Sequence, residues 1–128
     1  VRRTSADPFL PETVTGLHRR MFDRTWEWAG KFRNSDKNIG VPKEQIGEEL
    51  KKLLDDGRYW LEHETYPARE AALRLHHRMV WVHPFPNGNG RHARLWVDLV
   101  VRQANGPAIT WGGRLGQAGA MRSNTSQP

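Results

Sequence analysis

The chain has 128 residues, no cysteine, 20 lysines and arginines against 14 acids, and a formal net charge of +6. That length suits one domain with one core, the lack of cysteine excludes a disulfide framework, and no apolar run approaches the ~20 residues of a membrane span, so a soluble, cytoplasmic protein is expected. The positive balance raises nucleic acid as a partner, but the cations are interleaved with acids, as in Lys51 and Lys52 followed by Asp55 and Asp56, so it reads as a solvated surface and nucleic acid is set aside.

Val1 to Asp7 is polar and loose, and a start on valine instead of methionine leads us to expect that an N-terminal segment is missing. Leu10, Val14, Leu17, Met21 and Phe22 recur at helical spacing behind Pro11, a residue tolerated in a first turn, which predicts a helix over 11–22 with His18 as a structural residue on its margin. Trp26 and Trp28 follow in a short turn closed by Gly30 and serve packing. Lys31 to Val41 is polar and bounded by Gly30 and Pro42, with short extended pieces around Phe32 and Ile39; on its residues alone it is a surface loop.

From Pro42 to about Glu64, Ile46, Leu50, Leu53, Leu54, Trp60 and Leu61 predict a second helix, in which Gly57 marks close packing against a neighbour. Ala68, Ala71, Ala72, Leu75, Met79 and Val82 predict a third, stopped at His83 because a residue before proline is pushed out of the helical region. His76 and His77, being adjacent on that helix, point apart, and His63 to Pro67 does not carry the HExxH pattern, so zinc chemistry is not expected. A fourth helix, from Arg91 to about Ala104, carries Leu95, Trp96, Val97, Leu99, Val100 and Val101 and should be buried in the middle of the domain. Asn105, Gly106 and Pro107 stop it, Ile109 to Trp111 is a short extended piece, and residues 114–128 read as a disordered tail.

The loop between the third and fourth helices, His83-Pro-Phe-Pro-Asn-Gly-Asn-Gly-Arg-His-Ala-Arg94, carries the chemistry. Gly88 and Gly90 let successive amides converge beside a helix N-terminus, which favours an anion there. Arg91 and Arg94, three apart, lie on one helix face near that end, where two guanidinium forks suit a polyphosphate. His83 at the other side of the loop is the only candidate there whose ordinary pKa lets it take a proton near neutrality, which makes it the natural general base.

That stretch resembles the signature of the Fic (Fido-domain) family: HPF, any residue, an acid, GNGR, two residues and R. The resemblance implies an all-α, Fic-like helical bundle with a small β-hairpin flap, formed as a single domain. It also implies transfer of AMP from ATP to a Ser, Thr or Tyr hydroxyl of a target protein. By the same resemblance His83 is the catalytic base, Gly88, Asn89, Gly90, Arg91 and Arg94 hold the phosphates, and position 87 holds magnesium. This chain has Asn87 where the family has Asp or Glu, so Mg2+ would be held weakly, through a carbonyl oxygen. The loop over 31–41 becomes the flap that docks the target segment as an added strand, with Lys37, Asn38, Ile39 and Gly40 at its tip or second arm.

Residues 28–33, 35–41 and 110–113, together with Asn87, resemble the bacterial subgroup called mobile mystery protein B. A family member would continue with a helix contributing to the base pocket, and no convincing helical pattern follows Gly113. Many Fic proteins are restrained by a helix carrying Ser or Thr, three residues, Glu, then Gly or Asn; the string does not occur in the sequence, so restraint is expected from a missing segment or from a partner protein, antitoxin-like, as regulator. The alternative to the enzyme is a module that binds nucleotide with little or no turnover, favoured by Asn87. The loop is not a P-loop, which needs GxxxxGK[ST].

Overall fold

Helix α1 spans Pro11–Phe22, with Pro11 in the first turn, where its missing N–H would have had no helical partner. The computed structural model describes residues 7–36 and 39–104, and its order is α1, a single 3-10 turn at Lys43–Gln45, α2 (Ile46–Glu62), α3 (Ala68–Val82) and α4 (Asn89–Gln103). Residues 37–38, the extended piece at 109–111 and the tail at 114–128 lie outside the described residues. No described helix is long and apolar enough to cross a membrane.

The apolar stripes read from the sequence are the faces that meet. Leu50, Leu53 and Leu54 of α2 pack against Leu75 and Met79 of α3, and α3 packs in turn on Trp96, Val97 and Val100 of α4. α1 lies across α4 and brings Val14 and Leu17 into the same core. Trp96 donates its indole N–H to the carbonyl of Pro8 at 2.7 Å, and Phe9 meets its ring edge-on at 6.2 Å, so the chain entering α1 is sealed over α4. Gly57 allows this closeness: a methyl there would lie 2.7 Å from the Phe9 ring and 2.9 Å from Leu75.

α4 is the central helix, although not apolar all round, since Leu95 remains exposed. It also begins two residues earlier than its sequence pattern predicts, at Asn89, so the second glycine of the loop belongs to its first turn. α3 stops where Pro84 predicts, but His83 leaves the helix through the left-handed region, φ 54° and ψ 60°, with its N–H bonded to the Met79 carbonyl at 3.1 Å.

The β-hairpin expected over 31–41 is not formed among the described residues, which contain no strand. The backbone bonds of its two arms run to the end of α3 instead, from Arg33 N–H to the Pro84 carbonyl at 2.9 Å and from Val41 N–H to the Val82 carbonyl at 3.5 Å. The physical reason is the Arg33 side chain, which lies between the arms and takes the carbonyls of Ser35 and Val41.

Candidate active site

The 83–94 loop is built by closing it on itself and then pinning it from outside. Asn89 is 5% exposed and closes the loop, accepting the Phe85 N–H at 2.9 Å and donating to the Phe85 carbonyl at 2.7 Å. The carbonyl and one amide N–H of its side chain are thereby engaged in the loop, and its backbone N–H opens the first turn of α4. Gly88 caps that helix at φ +79°, a conformation glycine adopts without a side-chain penalty, and a methyl there would lie 2.6 Å from the Phe22 ring. Gly90 is an ordinary helical residue, and a methyl on it would meet nothing within 4 Å. Its value is therefore open space in front of the amides, not the conformational freedom expected of it.

Pinning comes from His18, which the sequence reading made only a structural residue. Its Nδ1 accepts the Gly30 N–H at 2.9 Å, which leaves the ring proton on Nε2, donated to the Asn87 carbonyl at 3.0 Å. The ring stacks on Phe85, centroids 3.8 Å apart at 13°. Burial pushes its pKa down, partly offset by the bond to Asn87. Only the pair's distance in sequence hid this role, since nothing local distinguishes His18 from any buried histidine. Beneath it His92 donates Nε2–H to the Val14 carbonyl at 2.9 Å, its Nδ1 is buried without a hydrogen-bond partner, and burial holds its pKa down at about 4.

The loop and the end of α1 enclose a cleft of about 740 Å3. One wall is Met21, Phe22, Thr25 and Trp26; the other is Asn87, Gly88, Gly90, Arg91 and Arg94. The predicted anion nest, both arginines and position 87 are thus brought to one hollow, walled by an aromatic turn in which Trp26 stacks on Trp28 at 4.3 Å. On α3, burial first and then the charges of Arg94 and His77 lower the His76 pKa to about 4. His83 is not in the lining of this cleft. It stands against the 39–41 arm: a methyl on Gly40 would lie 2.7 Å from its Cβ. Ile39 beside it is 62% exposed, while Lys37 and Asn38 are outside the described residues.

Two guanidinium groups beside a helix N-terminus make that end of the cleft electropositive. The sequence profile of the Fic/DOC family matches residues 8–101. The chain belongs to the Fic/DOC family. This Fic domain is 32% identical over 111 residues to protein adenylyltransferase fic-1 of Caenorhabditis elegans, an alignment that covers 80% of the chain and 21% of that protein. Among solved structures, Fic-1 from C. elegans superposes with a TM-score of 0.67 at 31% identity, covering 78% of the chain and 30% of the other. A Fic-domain-containing signaling protein from Bacteroides thetaiotaomicron gives 0.68 at 25% identity, covering 78% and 41%. The chain spans about a fifth of the length of the curated relatives it matches.

Proposed function

We propose that this Fic domain is a protein adenylyltransferase that transfers AMP from ATP to a Ser, Thr or Tyr hydroxyl of a target protein. The observation that carries the reading is that Gly88, Gly90, Arg91 and Arg94 line one cleft, while His83, which opens the same loop, stands outside that lining and against Gly40. With the phosphates of ATP over the α4 N-terminus and the terminal ones on Arg91 and Arg94, the α-phosphorus lies towards His83. His83 takes the proton of the attacking hydroxyl, whose oxygen bonds to the α-phosphorus. The bond from that phosphorus to its bridging oxygen breaks, and pyrophosphate leaves towards the arginines.

Magnesium fits this site only together with the nucleotide. Among the described residues no three His, Cys, Asp or Glu side chains are placed to hold a metal, and Asn87, exposed at the cleft, offers one neutral carbonyl oxygen. Asn87 would be the residue to hold the ion, which when bound would supply charge to neutralise phosphate. Asn87 also favours a second reading, a module that holds nucleotide with weak or no transfer.

The 31–41 segment is the docking flap for the target in this reading, supported by the exposed Ile39 and by Gly40 lying directly against His83. We place the domain with the mobile mystery protein B subgroup on residues 28–33, 35–41 and Asn87. It is then a bacterial, toxin-like, cytoplasmic enzyme under an antitoxin-like partner. The test is incubation with ATP and magnesium followed by intact and peptide mass spectrometry: AMP should appear on a hydroxyl side chain of the chain or of an added lysate protein. ATP bound by calorimetry with no modification of either would favour the second reading.

A further inference from the structure

We infer that Arg33 is the positioning residue for His83, holding the base together with the arms at 31–36 and 39–41; this rests on the reading of His83 as the general base. Arg33 is 3% exposed, and its side chain is entirely buried. Its nearest carboxylate, Asp36, is 3.9 Å away and 60% exposed, too far and too wet to balance a buried charge. Carbonyl oxygens do so instead. Nε donates to the His83 carbonyl at 2.6 Å, Nη1 to Ser35 at 2.9 Å, and Nη2 to Val82 at 3.2 Å and to Val41.

Two of those acceptors end α3, where the helix dipole is negative, and two belong to the arms on either side of residues 37–38. The remaining tie is the Arg33 N–H to the Pro84 carbonyl. A single side chain therefore fixes the carbonyls of both peptide links that flank the His83 Cα, 82–83 and 83–84.

What this does to the base follows from backbone geometry. His83 sits in the left-handed region, which costs a residue with a Cβ roughly 1 kcal/mol or more and persists only where the surroundings hold it. The direction of its carbonyl and that of its Cβ are set by the same φ and ψ, so fixing the carbonyl fixes where the imidazole begins. Gly40 completes the seat, since only a residue without a side chain leaves room for the His83 Cβ and for the guanidinium, 2.7 and 2.8 Å from a methyl there. Lysine cannot replace this arrangement, because one ammonium cannot reach acceptors spread around a planar fork.

The experiment is Arg33→Lys in the whole chain, read by long-range 1H–15N spectra of the six histidines, by calorimetry with MgATP and by auto-modification with labelled ATP. The expected result is a His83 resonance that moves while those of His18 and His92 stay, MgATP affinity within about twofold, and transfer down by about a hundredfold, the scale of a 1 Å misplacement. A His83 resonance that does not move, or all histidines moving together with loss of affinity, overturns the inference. Absence of transfer in the wild type would sink the transferase reading and leave the histidine spectra to decide on Arg33. Should the variant not fold, the wild type still answers: the Arg33 Nε–H must be strongly protected from solvent exchange, and rapid exchange contradicts the clamp.

Discussion

His18 donates its Nε2–H to the carbonyl of Asn87 across 3.0 Å, joining the first helix of the domain to the one loop position where this chain departs from its family's acid. The same ring accepts Gly30 N–H and stacks on Phe85, so a residue from α1 sets the height of the whole 85–88 turn. His18→Phe keeps the stacking and removes both hydrogen bonds, stranding a buried donor and a carbonyl at about 1–3 kcal/mol each. Urea denaturation should show a loss of roughly 2–5 kcal/mol, and the folded variant should bind ATP more weakly because the nest is no longer pinned. A loss under 0.5 kcal/mol with unchanged affinity would show that the loop holds itself.

Acid should loosen the same region through His92. Burial holds its pKa at about 4 against an ordinary 6.5, so the unfolded chain takes up a proton that the folded one refuses. The stability this represents is fully present above pH 6.5 and is lost as pH falls from 6.5 towards 4, on the order of 3 kcal/mol in all. His18, lowered for the same reason, acts in the same sense. Urea midpoints measured from pH 7.5 to 4.5 should fall, and His92→Gln, which can still donate to Val14, should flatten the curve. Parallel curves for both proteins would remove His92 from the explanation.

The two loop glycines do different work and should separate in one pair of variants. Gly88→Ala forces a methyl onto the Phe22 ring at positive φ and should cost roughly 2 kcal/mol or more of stability. Gly90→Ala meets nothing, gains helix propensity of up to about 1 kcal/mol, and places its methyl where the anion would approach. It should melt no lower than wild type yet bind ATP at least several-fold more weakly. Equal ATP affinity for Gly90→Ala and wild type would move the phosphate away from the α4 N-terminus.

How much of this was readable in the chain divides by distance along it. The four helices follow from local periodicity, and α1 and α3 end where Pro11, Phe22 and Pro84 place them, because apolar spacing and proline chemistry act within a few residues. That Asn87, Gly88, Gly90 and the two arginines come to one place was legible for the same reason, all lying within eight residues. His18 on Asn87 spans 69 positions and Arg33 on His83 spans 50, and no local pattern reports such pairs. The hairpin is the converse case: it was expected over 31–41 from the family resemblance and not from local pattern, and among the described residues a buried guanidinium from the same segment takes the carbonyls of both arms.

Asn87 should limit the metal. An amide oxygen offers magnesium a dipole where a carboxylate offers a charge, so in this chain the ion should bind only with nucleotide. Asn87→Asp changes shape little and leaves the backbone carbonyl that His18 holds in place. It should tighten magnesium in the ATP complex and raise transfer at low magnesium. A titration in which wild type is fully active and the aspartate variant is no better at any concentration would take position 87 out of the metal site.

The central claim is a transfer of AMP with His83 as base, and paired isotopic labels test it most directly. Wild type, Asn87→Asp and His83→Ala are each incubated with magnesium and ATP labelled either at the α- or at the γ-phosphate, and label on protein is counted alongside ATP affinity. Label should reach protein from the α-phosphate only, in wild type and more strongly in Asn87→Asp, and should vanish in His83→Ala while ATP affinity stays within a few-fold, since a base acts in the transition state. Label from the γ-phosphate, or α-label undiminished in His83→Ala, would contradict it.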